Sequence, residues 1–140
     1  MRRLSRGAGW TAIVLIVLSV AAAGAALAAK AGGYQGKTSQ RQNLSFNVSR
    51  GMVHSFKIVV HDGCPDGHTL IVHASYPAMA VRNGSFGGLF KPVGGHPGEQ
   101  ATLSGKFGRR GVTGNVHDAS FSPREKRLCH GNASFSAHHS

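Results

Sequence analysis

The densest collection of side chains able to hold a metal ion is the run His61-Asp62-Gly63-Cys64-Pro65-Asp66-Gly67-His68, with His73 shortly after it and His130 beside the second cysteine, Cys129. Imidazole nitrogens suit zinc and copper, and three of them make a common ligand set. A bond between Cys64 and Cys129 would draw His130 toward this run, so His61, His68 and His130 form the candidate metal set. The plainer reading is that turns at strand ends collect Asp, Gly and His for their backbone habits and their solubility, and oxidised sulfurs cannot ligate. His138-His139 reads as a frayed polar tail, and no cofactor is expected.

Catalytic patterns are thin. There is no Gly-x-Ser-x-Gly elbow, no His-Glu-x-x-His pair and no phosphate-cradling glycine loop leading into a helix. Glycoside hydrolysis needs two carboxylates facing one another, and the chain has only five acids, Asp62, Asp66, Glu99, Asp118 and Glu125. Asp62, Asp66 and Asp118 fall near expected turns, where hydrogen bonding to the turn backbone is role enough. No catalytic residue is assigned, and a small secreted hydrolase stays as the alternative to binding.

Charge is the one global property that implies a partner. Sixteen Lys and Arg oppose the five acids, for a formal net charge of +11. Arg109-Arg110 lies at an expected hairpin tip and Arg124-Glu125-Lys126-Arg127 precedes the last expected strand. Guanidinium and ammonium groups at such positions can meet phosphate or carboxylate polymers. Arg109, Arg110, Arg124, Lys126 and Arg127 are therefore the candidate ligand-binding residues, and an anionic envelope polymer is the leading ligand class. The competing reading is a solvated basic surface that keeps a small domain monomeric and its sheet edges apart. Nucleic acid is disfavoured, because readers of the barrel type interleave basic residues with exposed aromatics, whereas Phe46, Phe56, Phe86 and Phe107 fall at inward positions.

The elements that must position these groups are strands. From Tyr34 onward apolar residues alternate at period two in short bursts, and helical periodicity is absent. Leu44, Phe46 and Val48 lead through Arg50-Gly51 to Phe56, Ile58 and Val60, a hairpin that Cys64-Pro65-Asp66-Gly67 ends. Leu70-Ile71-Val72 opens a strand that Pro77 interrupts. Met79 to Arg82 then pairs through Asn83-Gly84, a strong tight-turn signal, with Ser85 to Phe90. Pro92 to Gly98 is a loop, Gly108-Arg109-Arg110-Gly111 joins two more strands, and Leu128 to Ala137 forms the last. About eight strands at this spacing predict an all-β fold, an antiparallel sandwich or flattened barrel.

The start of the chain has the layout of an export signal. Met1 to Arg6 carries three arginines, Thr11 to Ala29 carries no charge, and Ala26-Leu27-Ala28 is a small-x-small site. Residues 1–28 read as a signal peptide, 29–33 as a flexible leader and 34–140 as one all-β domain. The alternative is a retained anchor, since a run this long could just cross the roughly 30 Å hydrocarbon layer. Removing 28 of 140 residues leaves 112, enough for one domain. Thirteen Lys and Arg against five acids then give +8, rising toward +17 if all nine histidines charge below their unperturbed pKa of about 6.5. In an oxidising compartment two cysteines imply one bridge, Cys64 to Cys129, with free thiols or metal ligation as the alternative. The product is a secreted or envelope protein with no membrane span after cleavage, expected to be a monomer.

Several stretches taken together, Tyr34-Gln35-Gly36-Lys37-Thr38-Ser39-Gln40, Leu44 to Ser49, Ala101 to Phe107, Gly114, and Cys129 ahead of Phe135-Ser136-Ala137, resemble a group of uncharacterised secreted β-proteins of soil actinobacteria. The resemblance implies an exported all-β domain with a long-range disulfide and carries no activity. The chain departs from that pattern at Phe135, where similar chains often have tryptophan, and in its abundance of histidine.

Overall fold

The computed structural model describes residues 28–140; the expected signal segment, apart from Ala28, lies outside them. Nine antiparallel strands follow: β1 (Gly32–Thr38), β2 (Asn43–Ser49), β3 (Met52–Gly63), β4 (Thr69–Tyr76), β5 (Met79–Ala80), β6 (Ser85–Phe90), β7 (Gln100–Gly108), β8 (Gly111–Ser122) and β9 (Arg127–His139). The sheet runs β4-β3-β2-β1-β9-β8-β7-β6, and β3 also meets β9 through Gly63 and His130. A ring of β3, β2, β1 and β9 is thereby closed, while β4 on one side and β6 on the other remain as edges. The expected sandwich or flattened barrel is thus a small closed barrel with further strands folded over it.

Period-two alternation is carried through to burial. Leu44, Phe46 and Val48 of β2, Phe56, Ile58 and Val60 of β3, Leu103 and Phe107 of β7, and Val112 and Val116 of β8 are all buried. Their rings join the two halves of the sheet. Phe46 stacks on Tyr34 at 4.9 Å and on Phe56 at 5.2 Å, and Phe86 of β6 meets both Phe46 and Phe56. Such aromatic contacts contribute about 0.5–1.5 kcal/mol each beyond the area they bury.

One side chain supplements the Gly63–His130 pair that closes the ring. β1 and β2 are short, and beyond their ends the amide of Gln40 stands where a strand would be: its Oε1 accepts from the His61 N–H at 2.8 Å and its Nε2 donates to the His61 carbonyl at 2.9 Å. Next to this bridge Cys64 and Cys129 form the expected disulfide, with Cα atoms 4.4 Å apart. No free cysteine remains among the described residues.

The local turns follow their sequence. Arg50-Gly51 and Asn83-Gly84 have positive φ at both residues, the geometry of a two-residue hairpin turn of the I′ type. Three expectations need correction. Met79 to Arg82 does not form the partner of β6: only Arg82 and Ser85 bridge, β5 pairs with β3, and β6 pairs with β7. After Pro77 ends β4, β5 resumes on the same edge of β3 in the same register, with Tyr76 opposite Phe56 and Met79 opposite Val53. His138 and His139 are not a frayed tail, because they end β9 with His138 Nδ1 against the Arg110 carbonyl and His139 Nε2 against the Ala31 carbonyl, each at 2.8 Å. Gly32 and Gly33, expected in the leader, open β1 against Val48 and Asn47. No helix among the described residues is long and apolar enough to cross a membrane.

Candidate functional site

Arg109 and Arg110 occupy the two-residue loop between β7 and β8, while Arg124, Lys126 and Arg127 lie where β8 turns into β9. These places are the opposite ends of twelve-residue β8. At about 3.3 Å per residue, roughly 35 Å of strand separates them. The five candidate residues are therefore two clusters.

A shallow trough of about 730 Å³ crosses the outer face of the sheet beside the first cluster. One row along the strands runs Lys37, Ser136, Thr113, Lys106 and Ser85, each residue in register with the next. The adjacent row runs Ser134, Asn115 and Ser104. Adjacent strands lie about 4.8 Å apart, so Lys37 and Lys106, on β1 and β7, stand about 14 Å from one another with hydroxyls and amides between them. Sequence reading missed this grouping, because its members come from five strands and only their register aligns them.

The acids outside the core are engaged in hydrogen bonds. Asp66 accepts from the His68 N–H at 3.0 Å, which lowers its pKa, and its own N–H donates to Glu125 at 2.7 Å. Glu99 accepts from the Phe121 N–H and then from the His96 N–H, each at 2.8 Å, and these bonds lower its pKa. The ion pairs among the described residues are His68 with Asp66 and His96 with Glu99. No Lys or Arg side chain of the described residues has a carboxylate within salt-bridge distance.

For metal, His68 lies with Asp66 and Glu125, with ligand atoms within 4.8 Å of one another, and the other such group is Cys64, Glu125 and Cys129. His61 and His130 belong to neither group. The bridge does bring His130 to the end of β3, against Gly63, but the ligand atoms of His61, His68 and His130 do not gather. The sulfurs of the second group are committed to the disulfide.

Asp62 and Asp118 hold the least expected positions. Both were expected near turns; Asp62 does stand beside one, as the last residue but one of β3, whereas Asp118 lies within β8, and both point inward: Asp62 is 0% exposed and Asp118 8%. Their register carries the signal. Asp62 continues the inward series Phe56, Ile58, Val60, and Asp118 continues Val112, Val116. The two meet over Gly131, which is in register with Asp118 and whose added Cβ would fall 2.1 Å from Asp62 Oδ1. Neither oxygen of Asp62 has a hydrogen-bond partner, nor does the buried hydroxyl of Tyr76. Burial chiefly, and then the neighbouring Asp118 carboxylate, push Asp62 up to about 8. A carboxyl group in that position holds its proton at neutral pH. Burial, followed by the charge of the two acids, likewise raises Tyr76.

Above these groups opens a cleft of about 600 Å³ between the two sheet edges, with Tyr76 and Asp118 among its lining residues. Its walls are Ala74 and Pro77 on the β4 side and Leu89, Phe90 and Val93 on the β6 side. The loop carrying Val93 is fastened by Glu99 and by the ring of His96, which stacks on Phe121 at 3.7 Å.

The chain matches no protein-family model, no curated protein and no solved structure.

Proposed function

We propose that this protein is a non-catalytic binding domain of the cell exterior or envelope whose ligand is an anionic polymer. The observation that carries the reading is the unopposed charge: thirteen Lys and Arg of the described residues lack a carboxylate partner, two of the five acids are buried, and the other three are engaged with backbone N–H groups or histidine. A surface arranged in this way attracts polyanions strongly at low salt. The disulfide fits an extracellular location.

The trough is the preferred track. Lys37 and Lys106 offer charge at its two sides, and Ser136, Thr113, Ser104, Asn115 and Ser134 offer hydrogen bonds to hydroxyls or phosphate oxygens between them. Arg109 and Arg110 stand at the same end of β8 and extend the basic track; Arg124, Lys126 and Arg127 lie too far away to share a contact with it.

The test is titration with a teichoic-acid-like polyglycerol phosphate at low and moderate salt. Replacing Lys37 and Lys106 by Ser, or Arg109 and Arg110 by Ser, is expected to weaken binding at least several-fold more than replacing Arg124 and Arg127, since contact rather than total charge sets the loss. Equal losses from all three pairs would reduce the reading to general charge attraction. Undiminished binding in all three would remove it.

A further inference from the structure

We propose that the cleft between β4 and β6 binds a small amphiphilic cation, a protonated amine carried on an apolar body, with the ammonium seated against Asp118 and Tyr76 and the body between Phe90, Leu89 and Val93. This site lies apart from the outer trough and takes a ligand of opposite charge.

Size and lining come first. A cleft of about 600 Å³ falls within the usual range for small-molecule sites, and such sites pair apolar walls with a few converging polar groups. Leu89 and Val93 are 57% and 106% exposed, whereas the core residues around them are buried. They sit on the β6 edge and on the fastened loop, facing Pro77 and Ala74 of the opposite edge across an opening that no strand fills.

The floor supplies the sign of the charge. Asp62 and Asp118 lie together with no Lys, Arg or His within salt-bridge distance, in a molecule otherwise rich in unpaired cations. Tyr76 lines the cleft, is 8% exposed, and has a hydroxyl without a partner. Asp62 lies wholly beneath the surface, and Ser120 donates to Asp118 Oδ2 at 2.6 Å. The carboxylate that faces the cleft is Asp118. An apolar ligand or an alcohol that covered this charge would strip its water and give nothing of opposite sign in return, which is costly. An ammonium group neutralises it and brings three N–H donors to Asp118, beside the ring of Tyr76. Among the other charged lining residues, Glu99 already has both oxygens engaged by backbone N–H groups, and Lys91 is the one cation.

The proposal is tested by titrating the isotope-labelled protein with n-hexylammonium, n-hexanol, n-hexanoate and glucose, following backbone amide shifts. Hexylammonium is expected to give saturating shifts at Tyr76, Phe90 and residues 118–120, with affinity about tenfold or more above hexanol, the factor that one desolvated charge pair supplies. Asp118→Asn should abolish the preference for the amine. Because that variant alters a buried group, Leu89→Ser at the exposed rim gives a second measurement: it should weaken amine and alcohol together without changing the fold. Equal affinity for hexanol, a preference for glucose or hexanoate, or shifts that never saturate would each overturn the proposal.

Discussion

Asp62 gives the protein a pH response opposite in sign to that of an ordinary paired carboxylate. Its pKa is raised to about 8 in the fold, against about 3.9 in an unfolded chain. Between those values the folded state binds more protons than the unfolded one, so this contribution is fully present below about pH 4 and is lost as pH rises toward 8. Asp62→Asn keeps the shape and removes the titration. Urea denaturation at about pH 5, 7 and 9 should find the variant gaining on the parent protein as pH rises, with no further gain above about pH 9. A parallel response of the two proteins would mean that Asp62 is ionised at neutral pH. Glu99 and Asp66, lowered by backbone N–H bonds, act in the other direction and lose their contribution only in acid. The steric partner of this site is Gly131, where an added Cβ would meet Asp62 Oδ1 at 2.1 Å and the His61 carbonyl at 2.8 Å. Gly131→Ala is expected to destabilise by about 1–3 kcal/mol through overpacking, measurable as a lower melting temperature.

At the scale of elements, the barrel depends on how β3 reaches β9. A single backbone pair, Gly63 with His130, joins them, and the side chain of Gln40 makes two bonds to His61 in place of the missing strand. Gln40→Ala would leave the buried edge of β3 without partners, a loss of about 1–3 kcal/mol. Hydrogen exchange should show the His61 amide, which Gln40 protects, exchanging much faster in the variant while amides of the β7–β8 hairpin stay protected. Unchanged protection at His61 would show that the closure does not need Gln40. Much of this level was legible beforehand. The β2–β3 and β7–β8 hairpins follow from Arg50-Gly51 and Gly108 to Gly111 with alternating flanks. The pairing of β5 with β3 was not, because Asn83-Gly84 specifies a turn but not the strands beyond it, and a proline break after β4 does not reveal that the chain resumes on the same edge of β3.

For the whole molecule, the disulfide spans 65 residues next to the closing bridge. Cys64→Ser should lower stability by about 2–5 kcal/mol, read from denaturant midpoints of the oxidised protein, and stoichiometric thiol labelling of the unmodified protein would contradict the bond. Charge and fold class were determined by the sequence alone: composition sums without regard to folding, and alternation at period two admits only strands, which places the phenylalanines and, in retrospect, Asp62 and Asp118 on the inner face. Tertiary structure alone decided what those residues meet. Strand register carried Lys37, Ser136, Thr113 and Lys106 into one row, held Arg109 and Arg110 a strand's length from Arg124 and Arg127, left His61 and His130 apart from His68, and joined Asp62 to Asp118 over Gly131. The reason is physical. Local alternation fixes the face on which a side chain lies, whereas its neighbours across the sheet depend on pairings between segments distant in the chain, and a shift of one residue in any of them would change every one of those meetings.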